Sequence, residues 1–105
     1  MEYSDLRQVA VEARRSVESQ PVGTHADEIE TSVMLYISPE VVRMEQAVPE
    51  LAADRPGGLT RDPSGNGVYS ASGAWGDPTL ATAEKGRIVI EAMVREIVAR
   101  INSLG

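Results

Sequence analysis

The sequence predicts a mostly helical chain with little strand, on three observations. Apolar residues recur at three- and four-residue spacing in three separate segments. A stretch from about residue 44 to 67 is broken by Pro49, Pro56, Gly57, Gly58, Pro63, Gly65 and Gly67, too often for regular structure. The one strand-like run, Val68 to Ser70, is very short.

The first helix is expected over about Ser4 to Ser19. Leu6, Val9, Ala10, Ala13 and Val17 share one face, Ser4 and Asp5 are good starters, and the helix must end before Pro21. Pro21-Val22-Gly23-Thr24 breaks the chain. A second helix is expected from about Ala26 to Ile37, with Ala26, Ile29, Val33 and Ile37 in one stripe and Thr24 as cap. Asp27 and Glu28 then fall in a first turn, where the helix dipole favours acids. Ser38-Pro39-Glu40 restarts a short turn of helix. A segment as long as 44–67 is often functional. Ser72 to Pro78 is a second glycine-rich turn region and holds the only tryptophan, Trp75. The clearest element runs from about Ala81 to Ser103, where Ile90, Met93, Val94, Ile97, Ile101 and Leu104 make a wide apolar face. Thr79 or Thr82 is its cap, and Gly86 near its start costs about 1 kcal/mol against alanine.

At 105 residues the chain fits one domain or part of one. Its 42% hydrophobic and 25% charged residues exclude disordered and fibrous classes. The absence of cysteine excludes disulfides, thiolate metal sites and cysteine nucleophiles. Ten bases against 16 acids leave a net charge of −6, which argues against nucleic-acid binding. The imbalance lies in residues 1–55, with 11 acids and 5 bases, whereas residues 56–105 hold 5 of each. Neither a secretory signal nor an apolar run near the roughly 18 residues of a membrane span is present. A soluble, cytoplasmic protein is the expectation.

One run gathers groups that can carry chemistry. His25, the sole histidine, stands beside Asp27, Glu28 and Glu30 where a loop should enter a helix. Histidine and carboxylate are ordinary ligands for zinc, manganese or iron. His25 and Glu28 share a face if the helix begins early; His25 and Glu30 converge only with the histidine on the loop and the glutamate inside the helix. That geometry would turn Glu30 inward and leave Asp27 and Glu28 more exposed. The bland alternative is equally physical, because acids are common at helix starts and a lone histidine is usually surface or core. No HExxH or DxDxDG pattern occurs, no second histidine activates Ser70, Ser72 or Thr79, and no phosphate-loop spacing is present. Trp75 reads as a packing residue and Lys85, the only lysine, as solvated.

Two stretches together resemble one family. HADEIETS, His25 to Ser32, is similar to the HAGExETS segment of the creatininase family, the creatinine amidohydrolases. GAWGDPTLATAEKG, Gly73 to Gly86, resembles that family's G-x-x-GDPxLATxEKG segment. The resemblance covers roughly residues 4–105 and implies an α/β class: part of an α/β/α sandwich around a mostly parallel sheet, often assembled as hexamers. It also implies a metal-dependent amidohydrolase that cleaves a cyclic or linear amide C–N bond with two divalent ions per site, zinc, manganese or iron. His25 then matches a catalytic acid/base or substrate-binding group, and Glu30 a glutamate at the metal centre. The substrate would be a small amide or a peptide.

The chain departs from the family in several places. Family members are typically more than twice as long, so residues 1–105 match a C-terminal portion. The early Glu-x-His and Asp ligands and the NGH segment have no counterpart. Asp27 replaces the usual glycine, and Pro21 and Val22 stand where creatininase proper has a Trp-Asp pair. The expectation is a chain incomplete on its own, joined by further copies or by a chain supplying the N-terminal half. The alternative is a truncated, non-catalytic member acting as an assembly or binding module.

Overall fold

The computed structural model describes residues 3–51 and 57–104. Helix α1 spans Tyr3–Val17, α2 Glu28–Ile37 and α3 Ala83–Ser103. Short 3-10 turns lie at Pro39–Val41, Met44–Gln46 and Pro78–Leu80. Strands β1, Leu59–Thr60, and β2, Val68–Tyr69, pair in parallel with Leu59 opposite Val68 and Thr60 opposite Tyr69. The mostly helical expectation holds. The 44–67 stretch is more ordered than its punctuation suggests, since it contains one of those turns and β1, while part of it lies outside the described residues.

Helix α3 is the spine, and both α1 and α2 pack on it. The α1 stripe of Leu6, Val9, Ala10, Ala13 and Val17 is half-buried, whereas Arg7, Gln8 and Glu12 face solvent. On α2 the buried positions are Glu28, Ile29 and Ser32, and the expected stripe runs out into solvent at Ile37, which is 59% exposed. On α3 the buried positions are Gly86 and Val89; Ile90, Met93 and Ile97 are half-buried, and Val94, Ile101 and, just past the helix, Leu104 are exposed. Periodicity locates an amphipathic face, but the neighbour decides how much of it is covered. Among the described residues, the buried hydrophobic side chains are Ile29, Val68, Ala74, Ala81 and Val89, of which only Val68 is fully enclosed. No helix there is long and apolar enough to cross a membrane.

The start of α3 has a side-chain cap. Thr82 is extended and its side chain accepts a hydrogen bond from Lys85 N at 3.1 Å, satisfying one of the free N–H groups of the first turn. Its own N–H donates to Ser32 Oγ at 3.1 Å, tying the cap to α2. We expect Thr82→Ala to destabilise the chain by about 1 kcal/mol, while Thr82→Ser costs only a few tenths. Urea denaturation of the two variants checks this, and equal losses would exclude the cap as the cause.

Candidate functional site

The two sequence motifs, about fifty residues apart, meet through their backbones. Trp75 N donates to His25 O at 2.7 Å, and Thr24 N and His25 N donate to Trp75 O at 2.8 and 3.2 Å. This antiparallel bridge holds the histidine on a short extended segment ahead of α2. The chain then turns at Ala26, whose φ is +46°, a left-handed conformation that costs a residue with a Cβ roughly 1 kcal/mol or more.

That turn explains why α2 starts at Glu28 and why Thr24 is not its cap. Asp27 Oδ1 accepts hydrogen bonds from Ile29 N at 3.0 Å and Glu30 N at 2.9 Å, so Asp27 is the cap. Its Oδ2 accepts from Gln20 Nε2 at 2.9 Å. Gln20 in turn accepts at Oε1 from Glu28 N at 3.1 Å and Asp77 N at 2.8 Å. One buried amide thereby joins the α1–α2 linker, the head of α2 and the Gly-Asp-Pro segment. Gly76 permits this closeness: its φ is +141°, and a Cβ there would stand 2.4 Å from Asp27 Cβ.

Burial of the acids is the reverse of the expected pattern. Asp27 and Glu28 are 2% and 0% exposed, whereas Glu30 is exposed. Asp27 is spent as a cap. Glu28 Oε1 accepts from Ser19 N at 2.7 Å and Gln20 N at 2.8 Å, and its Oε2 accepts from Lys85 Nζ at 2.5 Å. Lys85 is therefore not solvated. It also donates to Leu80 O at 2.8 Å, and the pair clamps the start of α3 to the start of α2. Because His25 precedes the helix, it shares no helical face with Glu28.

His25 stands on the loop and Glu30 inside the helix. They are linked by the intervening turn, where Glu30 Oε2 accepts from Ala26 N at 2.5 Å. Each opens onto a different hollow. His25 lines a cavity of about 240 Å³ with Leu59, Thr60, Arg61, Ser70 and Gly73. Glu30 lines one of about 340 Å³ with Ala26, Thr31, Met34, Val41 and Val42. Beyond α2 the Ser38 hydroxyl holds the Glu40 carboxyl below the usual carboxylate range. Trp75 is half-buried, and its indole N–H has no partner among the described residues. No group of three or more His, Asp or Glu side chains able to hold a metal ion occurs among the described residues. By themselves these residues do not fit a complete metal centre. Sequence reasoning missed Gln20 and Arg61, which belong to no periodic or motif signal, and also the left-handed turn at Ala26 and the partnered state of Lys85, which lie within the two motifs but have no local signature there.

The family model described as creatinine amidohydrolase matches residues 1–101. The chain belongs to the creatininase family. This creatininase-family chain is 42% identical over 80 residues to the mycofactocin precursor peptide peptidase of Mycobacterium ulcerans, covering 73% of this chain and 31% of that protein. Against the same-named protein of Mycobacterium tuberculosis H37Rv the identity is 41% over 78 residues, with the same coverage. Against that of Mycolicibacterium smegmatis it is 40% over 79 residues, covering 73% and 32%. The chain thus spans about a third of the length of the curated relatives it matches. A solved structure from Bacteroides fragilis, assigned as a creatinine amidohydrolase, superposes with a TM-score of 0.65 and 25% identity, covering 86% of this chain and 38% of that one. The arrangement of helices and motif loops is therefore the creatininase fold.

Proposed function

We propose that this chain carries the His25 segment of a creatininase-type amidohydrolase that cleaves an amide C–N bond. The observation that supports this best is the His25–Trp75 backbone bridge, which brings both family motifs to one place. A linear peptide amide is the favoured substrate class, because the relatives named above are peptidases and Pro21 and Val22 replace the Trp-Asp pair of creatininase proper.

The net reaction adds water across the amide: the carbonyl carbon gains hydroxyl and the nitrogen gains a proton. His25 supplies that proton to the departing nitrogen and takes one from the attacking water, a role an imidazole on an accessible loop can fill. A divalent-metal centre is the cofactor the family resemblance implies, and Glu30 is the residue here that would serve as a ligand. The remaining ligands would come from outside the described residues, through a companion chain, further copies or additional sequence. Val94, Val98 and Ile101, exposed along the C-terminal half of α3, and Leu104 just beyond it support such an assembly. The same lack of a three-ligand cluster favours a second reading, a non-catalytic family member acting in assembly or binding.

We expect His25→Ala to lower peptide-amide hydrolysis by about 10²–10⁴-fold while the circular-dichroism melting curve stays unchanged. The assay uses zinc- or manganese-supplemented protein, with and without companion chains that copurify. Turnover equal to that of the unsubstituted chain would remove His25 from catalysis. No turnover by the unsubstituted chain in either preparation would favour the binding reading.

A further inference from the structure

We propose that Arg61 and His25 frame a subsite for a carboxylate group, so that the ligand of this site is a carboxylate-bearing molecule. Its meaning for catalysis rests on the hydrolase reading above; the binding itself does not. The shared cavity, at about 240 Å³, falls below the range of roughly 300–1,000 Å³ typical of drug-sized ligands and suits a small group on a short stem.

The polar side chains of its wall divide into two kinds. Ser70 Oγ donates to Ala74 O at 2.5 Å, and Thr60 Oγ1 accepts from Asp62 N at 3.1 Å, so both are committed to the backbone. The Arg61 guanidinium and the His25 imidazole, by contrast, make no side-chain hydrogen bond or ion pair among the described residues. The carboxylate next in sequence does not answer Arg61. Asp62 Oδ1 accepts instead from Ser64 N at 2.9 Å and Ser64 Oγ at 2.8 Å, and these bonds hold its carboxyl below the usual range. Elsewhere Arg14, Lys85, Arg87 and Arg100 pair with acids, while Arg7, Arg15, Arg43 and Arg95, like Arg61, make no ion pair among the described residues. What sets Arg61 apart from those is its place, an exposed guanidinium lining one cavity with the sole histidine.

A guanidinium offers a planar fork of N–H groups that matches both oxygens of a carboxylate. The imidazole adds an N–H from whichever nitrogen carries the proton. Leu59 supplies an apolar wall for the carbon stem. The carboxylate could belong to a free N-acyl amino acid or to the terminus of a peptide, and one experiment separates these sources.

Because His25 is the only histidine, its imidazole Cε1–H resonance reports occupancy in the full chain. At constant pH and ionic strength, N-acetylglycine is expected to shift it saturably. N-acetylglycinamide, with the same skeleton and no charge, is expected to leave it in place. Arg61→Gln should weaken the acid by about tenfold or more, and Arg61→Lys by less. A tetrapeptide with a free C-terminus that binds more tightly than N-acetylglycine identifies the peptide source; equal affinity identifies the small acid. Equal responses to acid and amide, an equal response to inorganic phosphate, or full affinity in Arg61→Gln would overturn the proposal. The acid–amide comparison uses the unsubstituted chain and decides the matter even if the variant fails to fold. Binding without hydrolysis would remove only the hydrolase reading, and hydrolysis without acid-selective binding would remove only the subsite.

Discussion

Lys85→Met is expected to destabilise the chain by about 3–5 kcal/mol, the usual cost of leaving one partner of a buried ion pair alone. Glu28 is 0% exposed and cannot recover a missing cation from water. Its Oε1 is satisfied by the Ser19 and Gln20 amides, but Oε2 has Lys85 Nζ as its partner. Methionine matches the length of the lysine stem, so the loss reports charge and hydrogen bonding rather than a cavity. Such a loss is a large share of the roughly 5–15 kcal/mol that stabilises a typical domain. Glu28→Gln keeps a carbonyl for the two amides but sets an NH₂ group against an ammonium, so it is expected to be destabilising as well. The double variant should lose less than the sum of the two, because the second change removes a group the first left unpaired. Urea denaturation of the four proteins measures this cycle. Additive losses would show that the pair contributes nothing by its pairing. Since Glu28 also pins the linker before His25, amide exchange at Thr24–Ala26 should quicken in Lys85→Met.

Gly86→Ala is expected to destabilise by about 2 kcal/mol or more, against its helix propensity. Propensity alone predicts the opposite, a gain of about 1 kcal/mol for alanine inside a helix. A Cβ at this position would stand 1.9 Å from Ser32 O, 2.5 Å from Ser32 C and 2.9 Å from Val33 N. All three are backbone atoms of α2, so no rotamer change relieves the contact. The helices must separate, and the Thr82 N–Ser32 Oγ bond and the Lys85–Glu28 pair lie directly in the path of that movement. Thermal denaturation gives a clean sign: a raised Tm in Gly86→Ala would show that α2 and α3 do not approach as closely as described.

The same glycine shows where sequence reading stops. From its position Gly86 reads as a helix penalty; from the structure it is the contact point of two helices. Lys85 reads as a solvated lysine because its partner, Glu28, is 57 residues away in the chain. Glu28 itself reads as one of several acids favoured by a helix dipole. Glu30, read as the inward acid, is exposed, because Ala26 turns left-handed and hands the capping role to Asp27. None of these outcomes has a local signal, since each depends on which surface another segment presents.

What the sequence determined by itself is local or borne by motif. The three helices follow from apolar spacing of three and four residues, and Pro21 after α1 and Thr82 before α3 mark two of their ends, whereas the start of α2 at Glu28 does not follow from Thr24. The family follows from two motifs whose residue order survives without any coordinates. Tertiary structure alone decided that those motifs touch at His25 and Trp75, that Glu28 and Lys85 form the clamp, and that Arg61 shares a cavity with His25. The physical reason is one of range. Helix periodicity and capping arise from neighbours within about four residues, whereas burial, ion pairing and a shared cavity are set by atoms brought together across most of the chain.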